Sequence, residues 1–435
     1  IQKALEWCGL DPDEGPKKGG DFGPYKQSKR QSIYKDHIQQ LLNSGGAYYA
    51  FDLPENLEKE RKKAEAIGET FFYGNQNRMT FLNSLTLNKS ETQKALKSDY
   101  VIRLKVPSDK EITVYDKIRG PVKVKTNLLD DKILMKSDGM PTYHFANVID
   151  DRLMKISTVI RGEEWLPSLP IHKLIYDAFK WDTPEFMHLP LILKPTGKGK
   201  LSKRDAKKNG FPLFPFQYDD SAPGFYEMGF LPQGLTNYLS SLGWNDSSER
   251  EVFCLDELVK IFNVKGIQKG GARFDYEKAR WINHQHIFRA ATKKLINYPL
   301  IKNILADYPE ENHLKILALF KERLYTLNDL KDEVVFLRKP YDYDEKAISA
   351  LDKKNSLISL RKIYNLIEGS KENESFKKKL FDWAKVENIP IKAVLQSFRL
   401  SLVGRLTGPD LFEACALLGK NVSLKRVSEF IKKIK

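Results

Sequence analysis

The feature that most constrains this 435-residue chain is a change of periodicity near His286. From Tyr100 to Leu193 the apolar residues fall in short alternating runs or in strand, helix, strand order. Beyond His286, LKILALFKERL, LISLRKIYNLIE, FKKKLFDWAKV, AVLQSFRLSLV and DLFEACALLG all repeat with helical spacing, and no alternating run interrupts them. One sheet or one bundle cannot satisfy both patterns. The sequence therefore predicts an α/β part with a parallel sheet, followed by an all-α region, in a chain long enough for two to four cores. Nothing repeats at a fixed period, so a solenoid is not supported.

Within the first part, IQKALEWCGL reads as an amphipathic helix, and DPDEGPKKGGDFGPY as a loop too rich in Gly and Pro for an element interior. A helix from about Ser28 should stop at Gly45 and Gly46. Residues 53–99 read as a helical insertion rich in Lys and Glu, with few strong apolar clusters. YVIRLKVP, EITVYDKIRGPVKV with a turn at Arg119, Gly120 and Pro121, and KILMKSDG predict one half-buried antiparallel sheet. After MPTYHFANVIDD, the runs ISTVIRGEEW, LPIHKLIYDAFKW and HLPLIL suggest two parallel strands joined by a helix. Ligands bind at the C-terminal ends of such strands, so the segments ending at Arg161 and Leu193 are the places to look.

The chain holds 72 Lys and Arg against 57 Asp and Glu, a net charge of +15 that favours a polyanionic partner such as nucleic acid. Its apolar runs fall short of the roughly 20 residues a membrane helix needs. Three cysteines, Cys8, Cys254 and Cys415, lie far apart and fit reduced thiols, with no metal-ligand spacing. Tyr143 and Asn147 are four apart and share a face if helical. With Arg161 and Trp165 they supply the donors and ring that grip a small carboxylate-bearing ligand, although Arg161 alone would read as a surface ion-pair partner. GKGKLSKRD, residues 197–205, is a glycine-rich basic segment: a mobile loop ordered by a triphosphate, or a solvated charge run. His172, His188, His284 and His286 lack partners at metal spacing, and His188 is expected to satisfy a backbone group. No nucleophile, metal or Walker sequence stands out.

WCGLDPDEGPKKGGDFGPYKQSKR, LMKSDGMPTYHFANVIDDRLMKISTVIRGEEWLPSLPIHKLIY, LPLILKPTGKGKLSKRD and FDYEKARWIN are similar, in order, to the signatures of glutamyl-tRNA synthetases of the bacterial and organellar type. KLSKR resembles the lysine-serine-lysine loop of class I aminoacyl-tRNA synthetases, and the helical part with LTGPDLFEACALLGK resembles an anticodon-binding domain. The resemblance implies a Rossmann-type catalytic domain in two parts, 1–50 (incomplete) and 141–205, and an α+β acceptor-stem-binding insertion at 51–140. A stem-contact helical domain at 206–286 and an anticodon-binding domain at 287–435 complete the expected order.

The same resemblance implies that Tyr143, His144, Asn147, Arg161 and Trp165 bind L-glutamate. Glu164, Leu191, Ile192, Lys200, Leu201, Ser202, Lys203 and Arg204 would bind ATP. Among these, Lys200, Ser202, Lys203 and Arg204 would be catalytic, with Lys203 stabilising the α-phosphate and the departing pyrophosphate. Arg323 would contact tRNA. ATP with Mg2+ is the implied substrate complex, tRNA(Glu) the partner, with tRNA(Gln) left open, and a monomer the implied state. Family members with a structural zinc hold it through cysteines that the insertion here lacks, so no zinc is expected. The family's HIGH-type motif and early arginine would lie before Ile1, which sets a glutamate-tRNA ligase against one alternative, a catalytically inactive tRNA-binding fragment. The expected compartment is the bacterial cytoplasm, with the mitochondrial matrix as the alternative.

Overall fold

The structure is a computed structural model of the chain and describes residues 1–220, 222–340, 342–369 and 373–435. Helix α1 (Gln2–Cys8) is followed by the polar loop and by α2 (Gln31–Ser44), which buries Tyr34, Ile38 and Leu41 at helical spacing. It stops at Gly45, whose φ of 75° lies in the left-handed region that glycine enters at least cost. Arg30, just before α2, is 1% exposed; its Nε meets Asp150 Oδ1 at 2.8 Å, and the Tyr34 hydroxyl donates to the same carboxylate.

Strand β1 (Ala47–Ala50) leads into α3 (Pro54–Ala66) and, after an irregular stretch, α4 (Lys89–Ala95). The insertion is thus less helical than its composition suggests, because Tyr73, Phe71, Phe81 and Leu85 fold the intervening chain into a small core with Tyr48 and Ala50. Strands β2 (Val101–Leu104), β3 (Glu111–Asp116), β4 (Gly120–Lys125) and β5 (Ile133–Met135) follow. They do not form the expected single antiparallel sheet. β1, β2 and β5 make one antiparallel sheet, whereas the β3–β4 hairpin joins a different, mixed sheet. The alternation in VIRL was misleading: Ile102, Arg103 and Leu104 are all buried, and Arg103 is accommodated by the Asp131 carbonyl and the face of Tyr73 at 3.9 Å.

Helix α5 (Tyr143–Leu153), strand β6 (Thr158–Gly162), helix α6 (Leu169–Ala178) and strand β7 (Glu185–Leu189) form the expected parallel unit, with Arg161 opposite His188 in the β6–β7 register. The mixed sheet has the order β4-β3-β7-β6, and β3 runs parallel to β7. One apolar core joins α2, β2, β3, α5 and α6 through Leu41, Leu104, Val114, Phe145, Ile149 and Ile175. Strand β8 (Ile192–Leu193) pairs in parallel with the distant β9 (Ala272–Arg273).

Helix α7 (Lys203–Asn209) precedes the aromatic connector, α8 (Pro232–Ser241), α9 (Leu255–Ile261) and α10 (Tyr276–Arg289). Here Phe211, Phe225, Phe230, Tyr238 and Phe274 form a second core, against which Trp7 and Cys8 of α1 pack. From Thr292 to Ile434 all described regular structure is helical, around a third and larger core that includes Phe320, Phe336, Phe398 and Phe430. The change of periodicity in the sequence is a real change of architecture.

Candidate active site

Arg161 sits at the end of β6, where the parallel strand delivers it next to the first two turns of α5. Its Nη1 donates to the Tyr143 hydroxyl at 3.1 Å and its Nη2 to Asn147 Oδ1 at 2.9 Å. Tyr143 and Asn147 do share a helix face, because α5 begins immediately after Thr142. Trp165 stacks obliquely on Tyr143 with ring centroids 4.7 Å apart. Among the described residues, no carboxylate lies within ion-pair distance of Arg161, although its charge reaches the buried Asp151 carboxyl.

Two histidines stand behind this arginine. His172, on α6, is 1% exposed and places Nδ1 3.4 Å from Arg161 Nη2; its Nε2 lies 3.1 Å from His144 Nδ1. Burial, then the Arg161 charge, pushes His172 down to about 3, and burial likewise lowers His144, so both rings are neutral. Burial also raises Asp151 to about 6, while Arg161 opposes that rise. His172 had given no sequence signal beyond a polar residue in an apolar helix. His188 differs from expectation too: its Nδ1 meets the buried Asp116 carboxylate at 2.7 Å, because β7 and β3 are neighbours.

The second group lies just after β6, at Glu163 and Glu164 in the helical turn that follows the strand. Glu163 accepts from the Leu191 backbone N–H at 3.0 Å and pairs with Arg119 at 2.6 Å. Arg119 also donates to the carbonyls of His188 and Lys269, which ties the β3–β4 turn to the ends of β7 and β9. Glu164 folds back over Gly162 to Lys200 Nζ at 2.7 Å, and that hydrogen bond holds its carboxyl below the usual range. A Cβ on Gly162 would lie 2.1 Å from Glu164 Oε2. The Leu201 N–H donates to the Ile192 carbonyl at 2.9 Å, so Leu191, Ile192, Lys200 and Leu201 form one stretch of backbone beside Glu164.

The basic segment is only partly the loop that its glycines suggest. Ser202 and Asp205 close a capping box that starts α7, so Lys203 and Arg204 lie in a first helical turn. Serine followed three residues later by aspartate is a readable helix start. The Lys203 ammonium rests over Tyr218 at 4.8 Å and Phe214 at 5.5 Å, on the aromatic connector, and Arg204 is exposed. Arg273, unmarked in the sequence reading, donates to the Lys194 and Gly197 carbonyls at 3.1 and 2.8 Å and so holds the base of the loop. Arg323 lies in the helical region, paired with Glu333 at 3.1 Å and donating to the Gly408 carbonyl. No cluster of three or more metal-ligating side chains occurs among the described residues.

Known proteins match the chain over both of its regions. Residues 1–281 match the family model of class I tRNA synthetases (E and Q), catalytic domain, and residues 289–431 match an anticodon binding domain. Curated glutamate–tRNA ligases from Flavobacterium johnsoniae and Flavobacterium psychrophilum are 44% and 45% identical over 99% of this chain and 88% of their own length. A crystal structure of a glutamate tRNA ligase from Elizabethkingia meningosepticum, in complex with its amino acid, superposes with a TM-score of 0.94. Its sequence is 42% identical, and the match covers all of this chain and 89% of that one. This chain belongs to the glutamate–tRNA ligase family of class I tRNA synthetases.

Proposed function

We propose that the protein activates L-glutamate with ATP and transfers it to the 3′ end of tRNA(Glu). The observation that carries the amino-acid assignment is the Arg161 guanidinium, which has no ion-pair partner among the described residues and is held by the neutral oxygens of Tyr143 and Asn147. In the first step an oxygen of the glutamate α-carboxylate attacks the α-phosphorus of ATP in line, and the bond to pyrophosphate breaks. That oxygen must stay nucleophilic, so Arg161 is assigned to the side-chain carboxylate, which an uncharged glutamine would not satisfy. Tyr143, His144, Asn147 and Trp165 complete this pocket.

ATP, arriving with Mg2+, is assigned to the stretch formed by Glu164, Leu191, Ile192 and residues 200–204. Lys200 and Lys203 start on Glu164 and on the connector rings, so phosphate binding has to draw them away; their charge then acts mainly where charge develops, on the leaving pyrophosphate. Ser202 fixes the helix start that carries Lys203 and Arg204. In the second step the terminal ribose hydroxyl of tRNA attacks the acyl carbon and AMP leaves. The insertion, residues 51–140, is assigned to the acceptor stem, 206–286 to the inner corner and 287–435 to the anticodon, with Arg323 as a contact.

Neither the fold nor the relatives favour a catalytically inactive fragment. We assign the protein to the bacterial cytoplasm, as a monomer. Among the described residues no helix is long and apolar enough to cross a membrane, and the relatives named above are bacterial. The test is charging of tRNA(Glu) by the full-length protein with labelled glutamate or glutamine. Attachment of glutamate alone, lost in Arg161→Ala, is expected. Equal attachment of glutamine would overturn the assignment of Arg161.

A further inference from the structure

A guanidinium has five N–H groups and must be held in one plane to present any of them to a ligand. For Arg161, Tyr143 takes one N–H from Nη1, Asn147 one from Nη2, and His172 is the acceptor within reach of the second Nη2 proton. Tyr143 and Asn147 both belong to α5, and His172 approaches from α6. Without the last contact the guanidinium is held from one helix only.

The proton positions along this chain are determined by its donors. Arg161 can only donate, so His172 Nδ1 must be the accepting nitrogen and Nε2 must carry the ring proton. That proton points at His144 Nδ1, 3.1 Å away, which must also accept, leaving the His144 proton on Nε2. The chain runs one way, from Arg161 through His172 to His144, and every member after the arginine is neutral. A carboxylate in place of His172 would hold the guanidinium as firmly but would cancel the charge that the ligand must meet.

We propose that His172 is a positioning residue for amino-acid binding: a buried neutral imidazole whose Nδ1 fixes the plane of Arg161 while leaving its charge available to a carboxylate. The inference rests on the reading of Arg161 as the glutamate-binding group. His172 touches no reacting atom in this account, and its influence is confined to one substrate.

Three substitutions separate this role from a packing role. His172→Asn places an amide oxygen near the position of Nδ1 and keeps the acceptor for Arg161. His172→Gln reaches toward the position of Nε2, keeping the link to His144 and losing the acceptor. Arg161→Ala is the control for the underlying reading. KM for glutamate and KM for ATP are measured for each in ATP–pyrophosphate exchange with tRNA present.

The expected result is that His172→Gln raises KM for glutamate by about tenfold to a hundredfold, the range for losing a hydrogen bond to a charged group. KM for ATP is unchanged, and His172→Asn recovers most of the loss. If both His172 variants raise the two KM values together, the residue acts through packing and the proposal is overturned. It is also overturned if Arg161→Ala raises KM for glutamate while His172→Gln does not. If Arg161→Ala leaves that KM unchanged, the assignment of Arg161 itself fails, and the positioning role fails with it.

Discussion

The α/β part of the molecule and its helical end are both well buried, but with different chemistry. In the first part the buried polar side chains include Arg30, Arg78, Arg103, Asp116, Asp131, His172 and His188. In the helical end, among the described residues, they are the hydroxyls of Thr326, Ser356, Ser359, Ser397, Ser401 and Ser423, with Arg426 as the charged member. A buried charge is costly unless paired, and here the partners are far apart in sequence: Arg30 with Asp150 and Arg78 with Asp131, while the buried Asp116 carboxylate meets His188 Nδ1. The helical hydroxyls mostly return to their own helix, as Ser359 to the Asn355 carbonyl and Ser401 to that of Phe398. Polar contacts between distant segments, such as Arg30 with Asp150 of α5, thus link parts of the α/β region, whereas the helical core is held by apolar packing.

The largest test of this contrast is Arg30→Met. It leaves Asp150 with Tyr34 and Gln27 but without its cation, and unfolding of the α/β part should lose about 3–5 kcal/mol, the usual cost of breaking a buried pair. A loss below about 1 kcal/mol in denaturant titration would show that the pair does not organise the region.

Next in size is the effect of acid on His172. Its folded form resists protonation down to about 3, whereas an unfolded histidine takes up a proton near its ordinary value of 6.5. Stability is therefore lost as pH falls below 6.5, by about 1.4 kcal/mol at one unit lower. His172→Asn should remove that portion of the slope between pH 7.5 and 5.5. An unchanged slope would mean that the buried imidazole is not the source.

In the helical end, Ser397→Ala removes a hydroxyl that bridges Ser356 and the Ala393 carbonyl, and about 1 kcal/mol should be lost. A cost matching that of Arg30→Met would erase the difference between the regions. Smallest is Glu164→Gln: its pair with Lys200 is solvent-exposed, so unfolding should shift by less than about 0.5 kcal/mol, although pyrophosphate exchange should change.

Much of this was readable from residue spacing. Tyr143 and Asn147 four apart, Arg161 at a strand end, the stop at Gly45 and the unbroken helical pattern after His286 all correspond to local geometry, which periodicity reports directly. What escaped depended on pairing between distant segments. Arg103 looked like the solvent face of β2 but is buried, and the strands between residues 100 and 139 went to two sheets because β3 found β7. His172 lies in an apolar helix, and nothing in its neighbours along the chain says that Arg161 lies across from it. The capping box of Ser202 and Asp205 could have been read, but the glycines before it pointed to a loop.

The central claim is that the charge of Arg161 selects glutamate for activation. The most direct measurement is ATP–pyrophosphate exchange by the full-length protein with glutamate or glutamine, in the presence and absence of tRNA(Glu), for the unaltered chain and for Arg161→Ala. The account predicts exchange that requires glutamate and collapses in the variant. Exchange supported equally by glutamine, or retained in Arg161→Ala, would contradict it.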